Sequence, residues 1–235
     1  MFKYADDILV VIPVNDASPS NINDKLNEEI MNVTRWCESS SLIVNQEKTK
    51  IMLVKKRSTP SLEDVGISVP TIPQMRILGV QFQDDLRWDA HIENICKASS
   101  RYIYVLKQLK KIGTSKAELI QVYNAIIRGV IEYSSPLFVG LTKRNSNRLE
   151  KIQKRCHRII CDYHCSCGIL TPLHIRRETA AVRLFRKMID PSHQLHHLVP
   201  PLLPSNRRIA MPLCETVRRR QTFIPIATML YNKNA

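Results

Sequence analysis

The sequence predicts an α+β fold: a small antiparallel sheet carrying one helix, then a longer helical region. Three observations predict it. Short apolar, partly β-branched runs bounded by turn residues fill the first part of the chain, as in Ile8-Leu9-Val10-Val11-Ile12, Leu42-Ile43-Val44 and Lys48–Val54. From Asp89 onward apolar positions instead recur every three or four residues. The charge changes near the same place. Residues 1–90 hold 10 Lys/Arg and 13 Asp/Glu, and residues 91–235 hold 25 and 8, a net of −3 against +17. Three segments are expected: 1–88, a partial sheet domain; 89–190, a basic helical region; and 191–235, a weakly ordered extension.

The chain opens on Tyr4-Ala5-Asp6-Asp7, between Met1-Phe2-Lys3 and the apolar run ended by Pro13. This reads as strand, tight turn, strand. Two carboxylates side by side repel each other. A divalent cation between them removes that cost, and Mg²⁺ favours carboxylate oxygens while keeping positions for phosphates. A pair of such ions stabilises the attacking and leaving oxygens of a phosphoryl displacement. Asp6 and Asp7 are therefore candidate metal ligands and catalytic residues. The alternative is an ordinary Asp-Asp turn.

Asn15 to Asn23 reads as a loop. Ile22, Leu26, Ile30, Val33, Trp36 and Cys37 give the next stretch one apolar helical face, ended by Ser39-Ser40-Ser41. Leu42-Ile43-Val44 and Lys48–Val54 read as strands around an Asn45-Gln46-Glu47 turn. Lys55 to Pro73 reads as a loop or ragged edge strand. In Arg76–Phe82, Gly79 suggests a bulge or a close backbone approach. Asp84-Asp85 lacks flanking apolar strands and reads as a turn.

Asp89 is a candidate cap for a helix whose face runs Ile92, Ile95, Cys96, Ser99, Tyr102, Ile103, Leu106 and Leu109, with Gly113 as its stop. Ser115-Lys116-Ala117-Glu118 is a capping-box pattern. It opens a helix burying Leu119, Val122, Tyr123, Ile126, Ile127 and Val130, broken at Tyr133-Ser134-Ser135-Pro136. Thr142 is the candidate cap of a helix with Leu149, Ile152, Cys156, Ile159 and Ile160 on one side. Its remaining positions include Lys143, Arg144, Arg148, Lys151, Lys154, Arg155 and Arg158. Such a patch suits a polyanion, and Arg144, Arg148, Lys151, Lys154, Arg155 and Arg158 are candidate nucleic-acid contacts. No aromatic residue interrupts the patch, which favours sugar-phosphate contact over base stacking. A solvated basic face with no ligand is the alternative. Thr171-Pro172 reads as a cap followed by proline at the first helical position, opening a helix to about Met188. Pro191 to Pro212 reads as extended, and Arg218-Arg219-Arg220 as a basic tail or an import patch.

Seven cysteines, with no secretory signal before them, read as reduced thiols in an intracellular compartment. No apolar run approaches the roughly 20 residues of a membrane span. Cys156, His157, Cys161, His164, Cys165, Cys167 and His174 lie close together in sequence. Zinc favours Cys and His sets, but there is no Cys-x-x-Cys pair, Cys165-x-Cys167 is too tight, and Cys156 falls on an apolar face. Core and loop roles are favoured over zinc.

Tyr4-Ala5-Asp6-Asp7 between apolar strands resembles the palm hairpin of reverse transcriptases. The helix with Trp36, then Leu42-Ile43-Val44-Asn45 and Lys48, resembles the palm motif that follows. Ile77-Leu78-Gly79-Val80, with Trp88 and His91, resembles the primer-grip hairpin. Ile131-Glu132-Tyr133-Ser134-Ser135-Pro136 and the closing residues resemble RNA-directed DNA polymerases of non-LTR (LINE-type) retrotransposons. The resemblance implies a partial palm followed by a helical thumb. It implies Mg²⁺ held by Asp6 and Asp7 in the intact enzyme and Lys48 beside the leaving pyrophosphate. It further implies Leu78 and Gly79 along the primer, and an RNA template and DNA primer as partners. That family supplies a third metal-binding Asp and the fingers upstream of the hairpin. The expectation is accordingly a polymerase fragment, inactive alone or complemented by a fuller copy, with a non-catalytic nucleic-acid-binding remnant as the alternative.

Overall fold

A computed structural model describes residues 1–13, 19–54, 71–161, 171–204 and 208–233. The chain is mixed α+β and mostly helical, with two small antiparallel hairpins. It forms two compact units, Met1–Arg87 and Trp88–Ala235.

In the first unit β1 (Phe2–Tyr4) pairs with β2 (Asp7–Leu9), with Tyr4 opposite Asp7 and Phe2 opposite Leu9. Ala5 enters the two-residue turn with φ +49°. The second strand ends at Leu9, short of Pro13. Helix α1 (Pro19–Ser39) starts inside the stretch expected to be a loop; of that loop, residues 14–18 lie outside the described residues. Its stripe buries Ile22 and Cys37. The Lys3 ammonium sits 4.4 Å over the Trp36 ring, a cation–π contact to the hairpin. Ser41, at φ +56°, ends the helix, and Leu42 N–H donates to the Cys37 carbonyl at 2.8 Å, a Schellman closure.

Two expected strands are corrected here. Leu42-Ile43-Val44 is not a strand, and Ile43 is 98% exposed. Lys48–Val54 contributes one isolated parallel bridge, Ile51 to Thr71. A β-branched run becomes a strand only when a neighbour satisfies its backbone groups. The expected loop at 55–73 lies outside the described residues as far as residue 70. β3 (Gln74–Ile77) and β4 (Val80–Gln83) form the second hairpin. Gly79 is thus in the turn rather than in a bulged strand. Leu78 and Gly79 both have positive φ, 46° and 83°, as a type I′ turn requires.

The second unit holds the larger core. Helix α2 (Asp89–Lys111) buries Ile92, Ile95, Ser99, Ile103 and Leu106, whereas Tyr102 stays exposed. Trp88, not Asp89, is the N-cap residue, and no side chain caps that end. At the other end Gly113 takes φ +87°, with Thr114 N–H donating to Leu109 O and Gly113 N–H to Lys110 O. This is the Schellman stop the sequence signalled.

Helix α3 (Lys116–Val122) opens on a full Ser115–Glu118 capping box. A π-helical segment, Tyr123–Ile127, joins it to α4 (Arg128–Glu132). Leu119, Tyr123, Ile127 and Ile131 are buried along it, while Ile126 is exposed. Three four-residue steps would drift about 120° around a regular α-helix; the wider π turn brings the stripe back to one side. After a 3₁₀ turn, Ser135–Phe138, Asn145 N–H donates to Thr142 Oγ1 at 3.3 Å, so Thr142 caps α5 (Lys143–Cys161). Helix α6 (Leu173–Met188) begins one residue later than expected, with Pro172 as its N-cap. The Tyr123 hydroxyl donates to Gln153 Oε1 at 2.8 Å, and Gln153 Nε2 donates to the Thr171 carbonyl at 3.1 Å. This buried polar chain ties three elements together.

The residues from 191 onward contain more structure than the extended stretch expected. His196–Leu198 is a 3₁₀ turn, α7 (Val217–Arg220) is capped by Thr216, and α8 (Phe223–Lys233) packs on α6. Phe185, Ile209 and Ala227 form a second buried cluster, with Tyr231 edge-on to Phe185 at 5.8 Å. Asn232 brackets Ile209, accepting from its N–H at 3.0 Å and donating to its carbonyl at 2.8 Å. A Cβ on Gly140 would lie 1.9 Å from the Gln221 carbonyl oxygen, so only glycine permits this approach.

Candidate nucleic-acid interface

Helices α2 and α5 lie side by side and run the same way. Near their N-terminal ends Asn145 Nδ2 donates to Asp89 Oδ1 at 2.9 Å, and the Arg148 guanidinium pairs with Glu93. Toward the other end Lys107, Lys110 and Lys111 of α2 face Lys151, Lys154, Arg155 and Arg158 of α5. These seven cations and Ile159 line one open cavity of about 990 Å³. Among the described residues, none of those lining it is a carboxylate.

The local reason is helical spacing. Leu149, Ile152, Cys156 and Ile160 turn one side of α5 into the core. Lys151, Lys154, Arg155 and Arg158 then share the other side at i, i+3, i+4 and i+7. Lys107, Lys110 and Lys111 repeat that pattern beyond the last buried residue of α2, Leu106.

Some of this charge has a structural explanation. Lys110 and Lys111 are in the last turn of α2, and Arg158 is in that of α5, where cations meet the negative end of the helix dipole. That benefit fades within a turn. Lys151, Lys154 and Arg155 lie further in, where like charges three and four residues apart are destabilising. A polyanion in the groove would convert this repulsion into attraction.

Of the six cations expected to bind, four line the groove. Arg148 does not. It is committed to Glu93, which also takes Lys97 at 3.6 Å. The Arg148 guanidinium beside Glu93 holds that carboxyl below its usual range, and the Arg148 pKa rises in turn. Arg144 is exposed but outside the groove lining. Lys107, Lys110 and Lys111 fall on or beside the exposed side of α2 in the sequence pattern but were not among the expected contacts; their i, i+3, i+4 spacing is a partial signal, completed by the neighbouring α5.

In the first unit, Asp6 occupies the β1–β2 turn and Asp7 is the first residue of β2; both are exposed. A hard cation takes six or more oxygen ligands. Among the described residues no group of three His, Cys, Asp or Glu side chains is assembled to hold one. The Asp pair by itself offers two anchors at most. Lys48 lies on an exposed turn, not a strand, and its N–H donates to Asn45 Oδ1 at 3.1 Å. Leu78 is 45% exposed at its hairpin tip and has positive φ. A non-glycine residue there carries strain of the sort that collects at functional positions.

The Cys/His cluster divides. Cys156 and Cys161 are buried in the core, and burial pushes the Cys156 thiol up to about 12, which keeps it protonated. His174 lies 3.6 Å from Glu150. His164, Cys165 and Cys167 fall outside the described residues. No helix among the described residues is long and apolar enough to cross a membrane.

Comparison with protein families, with curated proteins and with solved structures finds no match to this chain.

Proposed function

We propose that the helical unit binds the sugar-phosphate backbone of nucleic acid in the groove between α2 and α5. The supporting observation is the seven cations around one cavity whose lining, among the described residues, carries no acid. The contact is electrostatic and independent of base sequence, so affinity falls steeply with salt. Fluorescence anisotropy with labelled RNA and DNA across a salt titration tests it. Affinity is expected to survive Asp6→Ala and Asp7→Ala and to fall when Lys151, Lys154, Arg155 and Arg158 are neutralised. Binding that ignores the four cation substitutions removes the reading.

A second reading places this interface in a reverse transcriptase of the non-LTR type. The β1–β2 hairpin supports it, because Tyr4-Ala5-Asp6-Asp7 forms a strand-turn-strand unit with Asp6 in the turn. In that setting Asp6 and Asp7 would contribute two carboxylates to a Mg²⁺ seat completed by other groups. Lys48 would stand near the leaving phosphate, and Leu78 and Gly79 near the primer. Template RNA and primer DNA would be the ligands of the helical unit, which would serve as a thumb. The chain alone is expected to give no template-directed nucleotide incorporation, and clear incorporation would contradict that account.

A further inference from the structure

A cationic groove alone does not distinguish one strand from two; an exposed aromatic ring beside it would. Tyr104 of α2 is 64% exposed. It lies about 60° from Lys107 and about 20° from Lys111 around the helix, and about 4.5 Å along the axis from Lys107. Glu93, which pairs with α5 through Arg148, is on the same edge of α2. Tyr104 therefore stands one turn before the groove lysines of α2 and, by the Asp89–Asn145 and Glu93–Arg148 register, about level with the Arg158 end of the α5 row, on the edge that faces α5. Tyr102, 39% exposed, is about half a turn round from Lys111.

We propose that Tyr104 is a base-stacking platform beside the groove, at the Arg158 end of the α5 row, so that the site takes single-stranded nucleic acid rather than a closed duplex. This rests on the backbone-binding reading above and adds what the bases do. The row from Lys151 to Arg158 spans about 10.5 Å, so it can hold a short run of consecutive phosphates. A strand lying there leaves its next base free to turn onto an aromatic ring one helical turn away. Stacking of this type tolerates any base, because each has a π face.

The test compares three probes of about ten nucleotides: oligothymidine, the same phosphodiester without bases, and a blunt duplex. The full chain is expected to bind oligothymidine about five-fold or more tightly than the abasic strand, and more tightly than the duplex. Tyr104→Ala should lower oligothymidine affinity to the abasic level and leave the abasic affinity and the salt slope unchanged. Tyr104→Phe, which keeps the ring, and Tyr102→Ala should both preserve the difference. The inference is overturned if Tyr104→Ala binds oligothymidine like the parent chain, or if the duplex is preferred. If Lys154→Gln with Arg155→Gln also leaves every probe's affinity unchanged, the backbone-binding reading fails as well.

Discussion

Neutralising Lys154 and Arg155 together should stabilise the protein while weakening its binding. Within α5 the groove cations form four like-charge pairs at helical contact spacing: Lys151/Lys154, Lys151/Arg155, Lys154/Arg158 and Arg155/Arg158. Every one of them includes Lys154 or Arg155. At about 0.2–0.5 kcal/mol each, removing all four is worth about 1–2 kcal/mol at low ionic strength. Neither residue is in the last turn of α5, so little favourable dipole interaction is lost. Each kcal/mol corresponds to a rise in Tm of about 2–4 °C for a chain of this size. The gain should shrink at high salt, since exposed charges are screened beyond about 8 Å at physiological ionic strength.

The same substitutions should remove two phosphate contacts, reducing the log–log salt slope for single strands by about 1.4. Urea unfolding of Lys154→Gln/Arg155→Gln at low and high salt gives the first quantity, and salt-titrated anisotropy the second. Opposite signs for stability and binding mark charge kept for a ligand. A double variant that unfolds more easily at low salt would show that these cations have partners inside the fold, and the reasoning would collapse.

Three further outcomes follow from the same geometry. Ser115→Ala removes the capping box that opens α3 and should cost about 1 kcal/mol, read as a lower urea midpoint; an unchanged midpoint would show that the cap contributes nothing. Because the folded-state pKa of Glu93 is depressed by Arg148, its contribution is present above the unfolded value of about 4.3. It is lost as pH falls through the folded value, so Glu93→Gln should flatten the acid side of the stability profile, and a parallel profile would contradict this. Hydrogen exchange should be faster at Phe2–Leu9 and Gln74–Gln83 than along α2 and α5, because an isolated two-stranded hairpin is marginal in water; equal protection would show support that the described residues do not provide.

The helical half was legible where signals are local. Gly113, the Ser115–Glu118 box, the Thr142 cap and the apolar stripe of α5 each act within a few residues, so sequence spacing carries them. Some misses involve partners far away in the chain, and others local geometry that no residue type signals. Asp89 suits a cap, but its carboxylate is engaged by Asn145. Leu42-Ile43-Val44 has strand composition but, among the described residues, no neighbour to pair with. The Leu78-Gly79 turn was hidden because I′ turns usually advertise themselves with Asn or Asp before Gly; leucine there reads as strand. The return of the stripe at Tyr123–Ile127 depends on a π turn that no residue type announces. Half of the groove was visible in the spacing of α5. The other half required knowing that α2 runs beside it in the same direction, which the Asp89–Asn145 and Glu93–Arg148 contacts establish.

The two candidate sites differ in what holds them. Among the described residues of the first unit only Ile22, Cys37 and Val80 are buried hydrophobics, and Phe2 and Tyr4 beside the Asp pair are 65% and 67% exposed. A metal-dependent reaction demands carboxylates fixed to within about half an ångström by supporting packing, and a bare two-stranded hairpin cannot supply that rigidity. The groove cations stand on helices anchored by Leu106, Leu149, Ile152, Cys156 and Ile160 in a continuous core. Phosphate binding needs less precision, because Lys and Arg side chains swing to meet a mobile strand and act over several ångströms. The core that could impose exact geometry thus lies under the groove, where phosphate binding would not require it. A metal seat at the Asp pair would require it, so any catalysis at that hairpin would depend on further surface closing over β1 and β2.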